Sequence, residues 1–375
     1  MSMKQLFSLM LMRSRSRARW ASAQLALWLL TAGAGAMAAT AVAPGPTGAA
    51  PAPVHLRIVG GLGGVNQYTR HEEPFWARTL PRLSGGQLQA EIVPFDRAGI
   101  RGQDMLRLLQ SGAVAFGTAL VNLSSAQDPL LAAMDLPGMN PDIASLRRSV
   151  AALRPAMVAH LRERFGIELL AVYAYPAQVL FCDKPLSSLA DLRGRRVRVS
   201  SAPIADLFEA LRAVPVLVSF ADIMPRMRAA SLDCVVTGTM TGNTIGLHEL
   251  TSHLHPAAIT WGVSIFAANG AAWAALAPQT RQLIQRQLPQ LEQAVWEEAE
   301  RETTEGLACN QGDARCSSGR RGRMQRVPDS PADRQRLRDL LSTAVLPRWL
   351  ERCGTPCATL WNGAMAPLIG LRANP

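Results

Sequence analysis

Leu189-Ala190-Asp191-Leu192-Arg193-Gly194-Arg195-Arg196-Val197-Arg198-Val199 runs from a polar turn into a short β-branched segment, and its reading decides the fold. Val197-Arg198-Val199 follows a glycine turn and reads as a strand. Period-two alternation sets Arg198 on the face opposite its two valines. Arg195 and Arg196 read as solvated charges, whereas Arg198 sits where the strand gives way to Ser200-Ser201-Ala202-Pro203. Open α/β sheets bind ligands at the carboxyl ends of their strands. A guanidinium placed there offers a planar fork of donors that matches a carboxylate.

Downstream, Ile204, Leu207, Phe208 and Leu211 have helical spacing, and Val214 to Val218 reads as the next strand. Ser219-Phe220-Ala221-Asp222 opens another helix that Ser219 or Asp222 can cap. Leu232-Asp233 leads into the apolar strand Cys234-Val235-Val236-Thr237-Gly238. The loop that follows carries hydroxyls and an amide, up to Asn243, that can hydrogen-bond a bound acid or serve turn chemistry alone. Glu249 lies sixteen positions beyond Asp233.

This order and spacing resembles the solute-binding proteins of TRAP transporters, the tripartite ATP-independent periplasmic transporters, from about Leu56 to Glu300. The resemblance implies a two-lobed α/β periplasmic binding protein fold, type II-like, with strands that cross between lobes. It makes Arg198 the carboxylate clamp and puts Thr237 where the family usually has Asn. The family's Gln-Glu-Asn-Pro is here Val235-Val236-Thr237-Gly238, and its Asn-Gly-Thr-Arg-Gln is Ala174-Tyr175-Pro176-Ala177-Gln178, without the second arginine. Met134-Asp135-Leu136-Pro137-Gly138 resembles the family's Asp-Leu-Pro turn. The implied partners are a small organic acid and integral-membrane TRAP subunits, and the implied location is the periplasm.

Upstream, Met1 to about Ala43 has a basic start, a short apolar centre (Leu25-Ala26-Leu27-Trp28-Leu29-Leu30) and a small-residue end. That is the pattern of a cleaved secretory signal, with Ala36-Met37-Ala38 or Ala41-Val42-Ala43 as the cleavage site. A membrane anchor is the alternative, but the apolar centre is short for a span. The expected organisation is a signal and lead-in over 1–43 and a first lobe over 55–172, to which part of 261–300 returns. A second lobe follows over 173–260, and a long helix with a C-terminal extension occupies 274–375.

Within the first lobe, Leu56-Arg57-Ile58-Val59 is a strand running into Gly60-Gly61-Leu62-Gly63-Gly64. A lone glycine cluster is weak evidence for a phosphate loop and reads as a cleft edge. Gln67 and Tyr68 follow it, where the resemblance puts a ligand-facing loop. Asn122 lies just past the apolar strand Ala113 to Leu120, another cleft position. Leu146, Val150, Leu153, Met157 and Leu161 form the core-facing stripe of a long helix, about Ile143 to Phe165, with Pro155 inside it. Tyr173, Tyr175 and Gln178 gather at the end of the strand Ile167 to Val172, offering rings for stacking or for the core. Trp261, near the start of the crossing strand Ile259 to Phe266, is a candidate wall of the cleft, as is Phe220.

Of the formal charge of +11, five charges lie at the start. Setting aside Lys4, Arg13, Arg15, Arg17 and Arg19 leaves 34 basic against 28 acidic residues, too even and too scattered for a nucleic-acid stripe. His248, His253 and His255 beside Glu249 lack the i, i+4 spacing of a helical metal pair, so no metal is expected. There is no Gly-x-Ser-x-Gly elbow, His-Glu-x-x-His pair or Walker loop, and no cofactor is implied. One arginine, hydroxyls, an amide and aromatics without a poised base describe binding rather than turnover. An ABC-type receptor and an exported enzyme for a carboxylate substrate remain the alternatives.

Six cysteines complete the picture. Cys309 with Cys316, and Cys353 with Cys357, bracket short loops and read as disulfides of an exported chain. A four-cysteine zinc site or cross-pairing between the loops are the alternatives. Cys182 and Cys234, in apolar strands, read as separate buried thiols.

Overall fold

The computed structural model describes residues 53–374. The expected signal and lead-in over 1–43 fall outside them. The strands in chain order are β1 (Val54–Gly60), β2 (Leu88–Pro94), β3 (Phe116–Leu120), β4 (Ile167–Tyr173), β5 (Gln178–Cys182) and β6 (Arg196–Val199). They continue with β7 (Val214–Leu217), β8 (Cys234–Gly238), β9 (His253–Thr260), β10 (Ser264–Asn269) and β11 (Gln325–Arg326). They form two sheets, ordered β2-β1-β3-β10-β4 and β11-β9-β5-β8-β6-β7. The first sheet takes its antiparallel strand β10 from far along the chain.

Among the described residues, two short stretches without a helix carry the chain from a strand of one sheet to a strand of the other: Ala174 to Ala177, between β4 and β5, and Trp261 to Val263, between β9 and β10. They are bonded to each other, Tyr175 N donating to the Trp261 carbonyl at 3.1 Å. The buried Asp135 carboxylate pins the second stretch, accepting from Trp261 N at 3.0 Å and Val263 N at 3.4 Å. Burial without a cation beside it pushes this acid up to about 7. The Asp-Leu-Pro turn read from sequence is thereby a bracket for the crossing.

The long helix reads Ile143–Phe165 as its stripe predicts. Leu146, Val150, Leu153, Met157 and Leu161 are buried, Asp142 caps the start by accepting from Ser145 N at 2.7 Å, and Gly166 closes the end at φ 62°. Against the first sheet, Ile284, Leu288, Leu291 and Val295 of the helix Pro278–Gln311 pack with Trp76 and Phe266. Each large apolar side chain so buried contributes roughly 1.5–3 kcal/mol. This helix opens the 274–375 stretch expected to hold a long helix and a C-terminal extension. The remainder supplies β11, which adds to the second sheet beside β9.

Two corrections concern pairing. Cys182 and Cys234 are not separate thiols: they face each other on the antiparallel neighbours β5 and β8 and are disulfide-bonded. Apolar context marks both as strand residues but does not say which strands are neighbours. Cys309–Cys316 and Cys353–Cys357 are bonded as their spacing suggested, with no cross-pairing. Arg196 is not merely solvated, for its guanidinium grips Asp233 with two bonds of 2.8 and 3.0 Å and its backbone N–H donates to the same carboxylate.

Candidate functional site

A cavity of about 560 Å³ opens between the carboxyl ends of β6, β7 and β8 and the loops of the first sheet. That volume suits a small molecule. Arg198 lies in its wall. The parallel pairing of β6 with β7 and β8 sets the residue between them, and its Nε donates to the Val218 carbonyl and its Nη1 to that of Val236, both at 2.9 Å. A guanidinium has five N–H donors, so three remain. The side chain is 5% exposed, and among the described residues no carboxylate pairs with it. Burial alone pushes its pKa down to about 10. An unpaired buried cation is costly unless an anion joins it.

Other sequence-derived candidates reach the same space. Thr237 at the end of β8, Gln178 at the start of β5, Tyr175 in the crossing stretch and Phe220 after β7 all line the cavity. Asn122 lines it from the first-sheet side and donates to Ser200 Oγ at 3.0 Å, a bond that spans the two sides.

Five further candidates lie outside this lining, each engaged elsewhere. Tyr68 packs its ring against Gly60 and donates to the Ile92 carbonyl at 3.2 Å, with burial pushing its phenol up to about 12. Gln67 donates to Glu302 at 2.7 Å. Tyr173 is buried against Phe266 in the first sheet's core. Asn243 holds the backbone of Arg320 from both sides and donates to Asn310. Trp261 donates from its indole to the Asn140 carbonyl at 2.9 Å and borders a separate small cavity of about 110 Å³.

The lining also includes residues the sequence reading did not single out as ligand contacts. Leu62, Phe95, Ile100 and Leu123 make its first-sheet wall apolar, while Ser200 adds a hydroxyl on the other side, beside that of Thr241 from the loop expected to hydrogen-bond a bound acid. Ser200 was detectable, being two residues past Arg198 on the same strand end. Phe95 and Ile100 belong to a loop whose sequence carries no cleft signal. Two buried carboxylates with pKa pushed to about 7, Asp135 and Glu72, are absent from the lining. Glu72 instead accepts from Gly61 N at 2.8 Å and from the Thr118 hydroxyl.

Two sheets joined by paired crossings, with a ligand-sized cavity at strand ends between them, define a two-lobed solute-binding protein. The chain belongs to the DctP family, bacterial extracellular solute-binding protein family 7, whose model matches residues 66–312. Solved structures similar to it are TRAP-type receptors. One is an extracytoplasmic solute receptor of Bordetella pertussis that binds pyroglutamic acid, with 22% identity and TM-score 0.72 over 83% of this chain and 99% of that one. A second is a TRAP periplasmic solute-binding protein of Desulfovibrio salexigens with bound orotic acid, with 17% identity and TM-score 0.72 over 82% of this chain and 96% of that one. A marine metagenome TRAP protein in complex with pyroglutamate is 18% identical, with TM-score 0.71 over 84% and 99%. No curated protein matches the sequence significantly.

Proposed function

We propose that this protein captures a small organic acid in the periplasm through Arg198 and hands it to the membrane subunits of a TRAP-type transporter, without transforming it. The observation that carries this reading is the buried guanidinium at the strand ends, held by two carbonyls and unpaired among the described residues. A ligand carboxylate would supply the missing charge and use the free donors. The absence of turnover is supported by where the perturbed acids sit: Asp135 and Glu72 are engaged away from the cavity, and no histidine lines it. Export rests on the leader-like first 43 residues. Among the described residues no helix is long and apolar enough to cross a membrane, so delivery would fall to separate membrane subunits.

The test is native mass spectrometry of the purified mature protein, identification of the co-purified ligand, and titration calorimetry with that ligand. Arg198→Ala is expected to lose at least tenfold in affinity with an unchanged circular dichroism spectrum. Unchanged affinity removes the clamp, and conversion of the bound acid into a product replaces the receptor with an enzyme.

A further inference from the structure

Resting on that reading, we infer that Gln178 selects the ligand: a monocarboxylate whose body carries an N–H or O–H donor, in preference to a dicarboxylate. Gln178 stands at the first residue of β5, where the chain has just crossed between the sheets. Its amide is held in place. Nε2 donates to the Pro176 carbonyl at 2.9 Å. The backbones of Gly238 and Gly262 close on the same nitrogen, since a Cβ added at either would lie 3.1 or 3.3 Å from it. One N–H of the amide is thereby spent on protein and glycine backbone crowds the nitrogen, which orients the group. Among the described residues no donor reaches Oε1, and the residue lines the cavity half-buried. What it offers a ligand is an acceptor, and an acceptor is satisfied by N–H or O–H and repelled by a second carboxylate.

The charges around the cavity point the same way. Arg198 is the buried cation of the lining, and one carboxylate uses it. Arg101, the other cation there, is 70% exposed and bonded to Asp104 at 2.7 Å. The carboxylates of Asp96 and Asp222 stand at the exposed rim, Asp222 accepting from Ser219 at 2.7 Å. A second ligand carboxylate would stand beside an amide oxygen and two rim carboxylates, with no unpaired cation left for it among the described lining residues. The hydroxyls of Thr237 and Ser200 can serve as donor or acceptor and so do not discriminate. The apolar wall of Leu62, Phe95, Ile100 and Leu123 accommodates a ring or branched body.

Six probes test this by calorimetry: pyroglutamate and mandelate, their donor-free counterparts cyclopentanecarboxylate and phenylacetate, and the diacids malate and glutarate. Wild-type protein is expected to bind pyroglutamate or mandelate at least tenfold more tightly than the counterpart and than either diacid. Gln178→Met should erase the preference for the donor while keeping monoacid binding, and Gln178→Arg should raise diacid affinity at least tenfold. The inference is overturned if diacids bind wild-type protein as well as monoacids do, or if the donor preference survives Gln178→Met. It is overturned too if none of the six binds. Acids that bind through Arg198 without this selectivity sink the role of Gln178 and leave the receptor reading standing. Binding insensitive to Arg198→Ala sinks the receptor's clamp instead.

Discussion

Arg198 has two duties that one side chain shape can meet. Its Nε and Nη1 hold the carbonyls of Val218, just past β7, and Val236, within β8, and in the proposed reading the rest of the fork is left for an anion. A lysine carries the same charge on a rotatable point donor and cannot span both carbonyls while facing a carboxylate edge-on. Arg198→Lys is therefore expected to weaken binding of the co-purified acid at least tenfold, read by calorimetry; an affinity within threefold of wild type would mean that charge alone matters. Residues of this kind were legible in the sequence because strand ends are. Arg198, Thr237, Gln178 and Asn122 each sit within two residues of a strand terminus that faces the cavity. Tyr68, Gln67, Asn243 and Trp261 have the same chemistry, but their side chains are taken by partners distant in sequence: Ile92, Glu302, Arg320 and Asn140. Composition and local spacing do not reveal such partners.

At the scale of elements, alternation and helical stripes predicted the strands around Arg198 and the helix Ile143–Phe165, since burial on one face leaves a periodic trace. Lateral neighbours leave none, which is why the β5–β8 bridge of Cys182 and Cys234 was hidden. The crossing Trp261 to Val263 depends on Asp135, an acid whose folded pKa of about 7 lies above its ordinary value of 3.8. The folded protein thus binds more protons than the unfolded chain between those two values. Asp135 makes stability fall as pH rises through that window, by at most about 1.4 kcal/mol per pH unit. Glu72, also at about 7, acts in the same direction. In urea unfolding at pH 5, 6 and 7, Asp135→Asn is expected to flatten the decline relative to wild type, whatever it does to absolute stability. Equal slopes in the two proteins would show that the carboxyl does not titrate in that range.

Across the whole molecule, capture requires that the two sheets hold their ligand-facing loops together long enough to retain the acid. The crossings tether them on one side, with Thr303 of the long helix accepting from Ala177 N at 3.0 Å. On the cavity side the Asn122–Ser200 bond joins the loop after β3 to the loop after β6, two residues from Arg198. A bond that forms only when the sides meet stabilises the closed, ligand-holding arrangement over an open one, and so acts on escape more than on encounter. A typical hydrogen bond contributes about 0.5–1.5 kcal/mol net, so Asn122→Ala should speed dissociation roughly two- to tenfold with little change in association. Because both residues also line the cavity, a lost contact to the bound acid is the other route by which each single variant would act. The double-mutant cycle separates the cases. If the residues act through each other, Asn122→Ala combined with Ser200→Ala should dissociate no faster than the more affected single variant in stopped-flow measurements. Strictly additive effects would assign each side chain to the ligand and leave the crossings alone to govern how the protein opens.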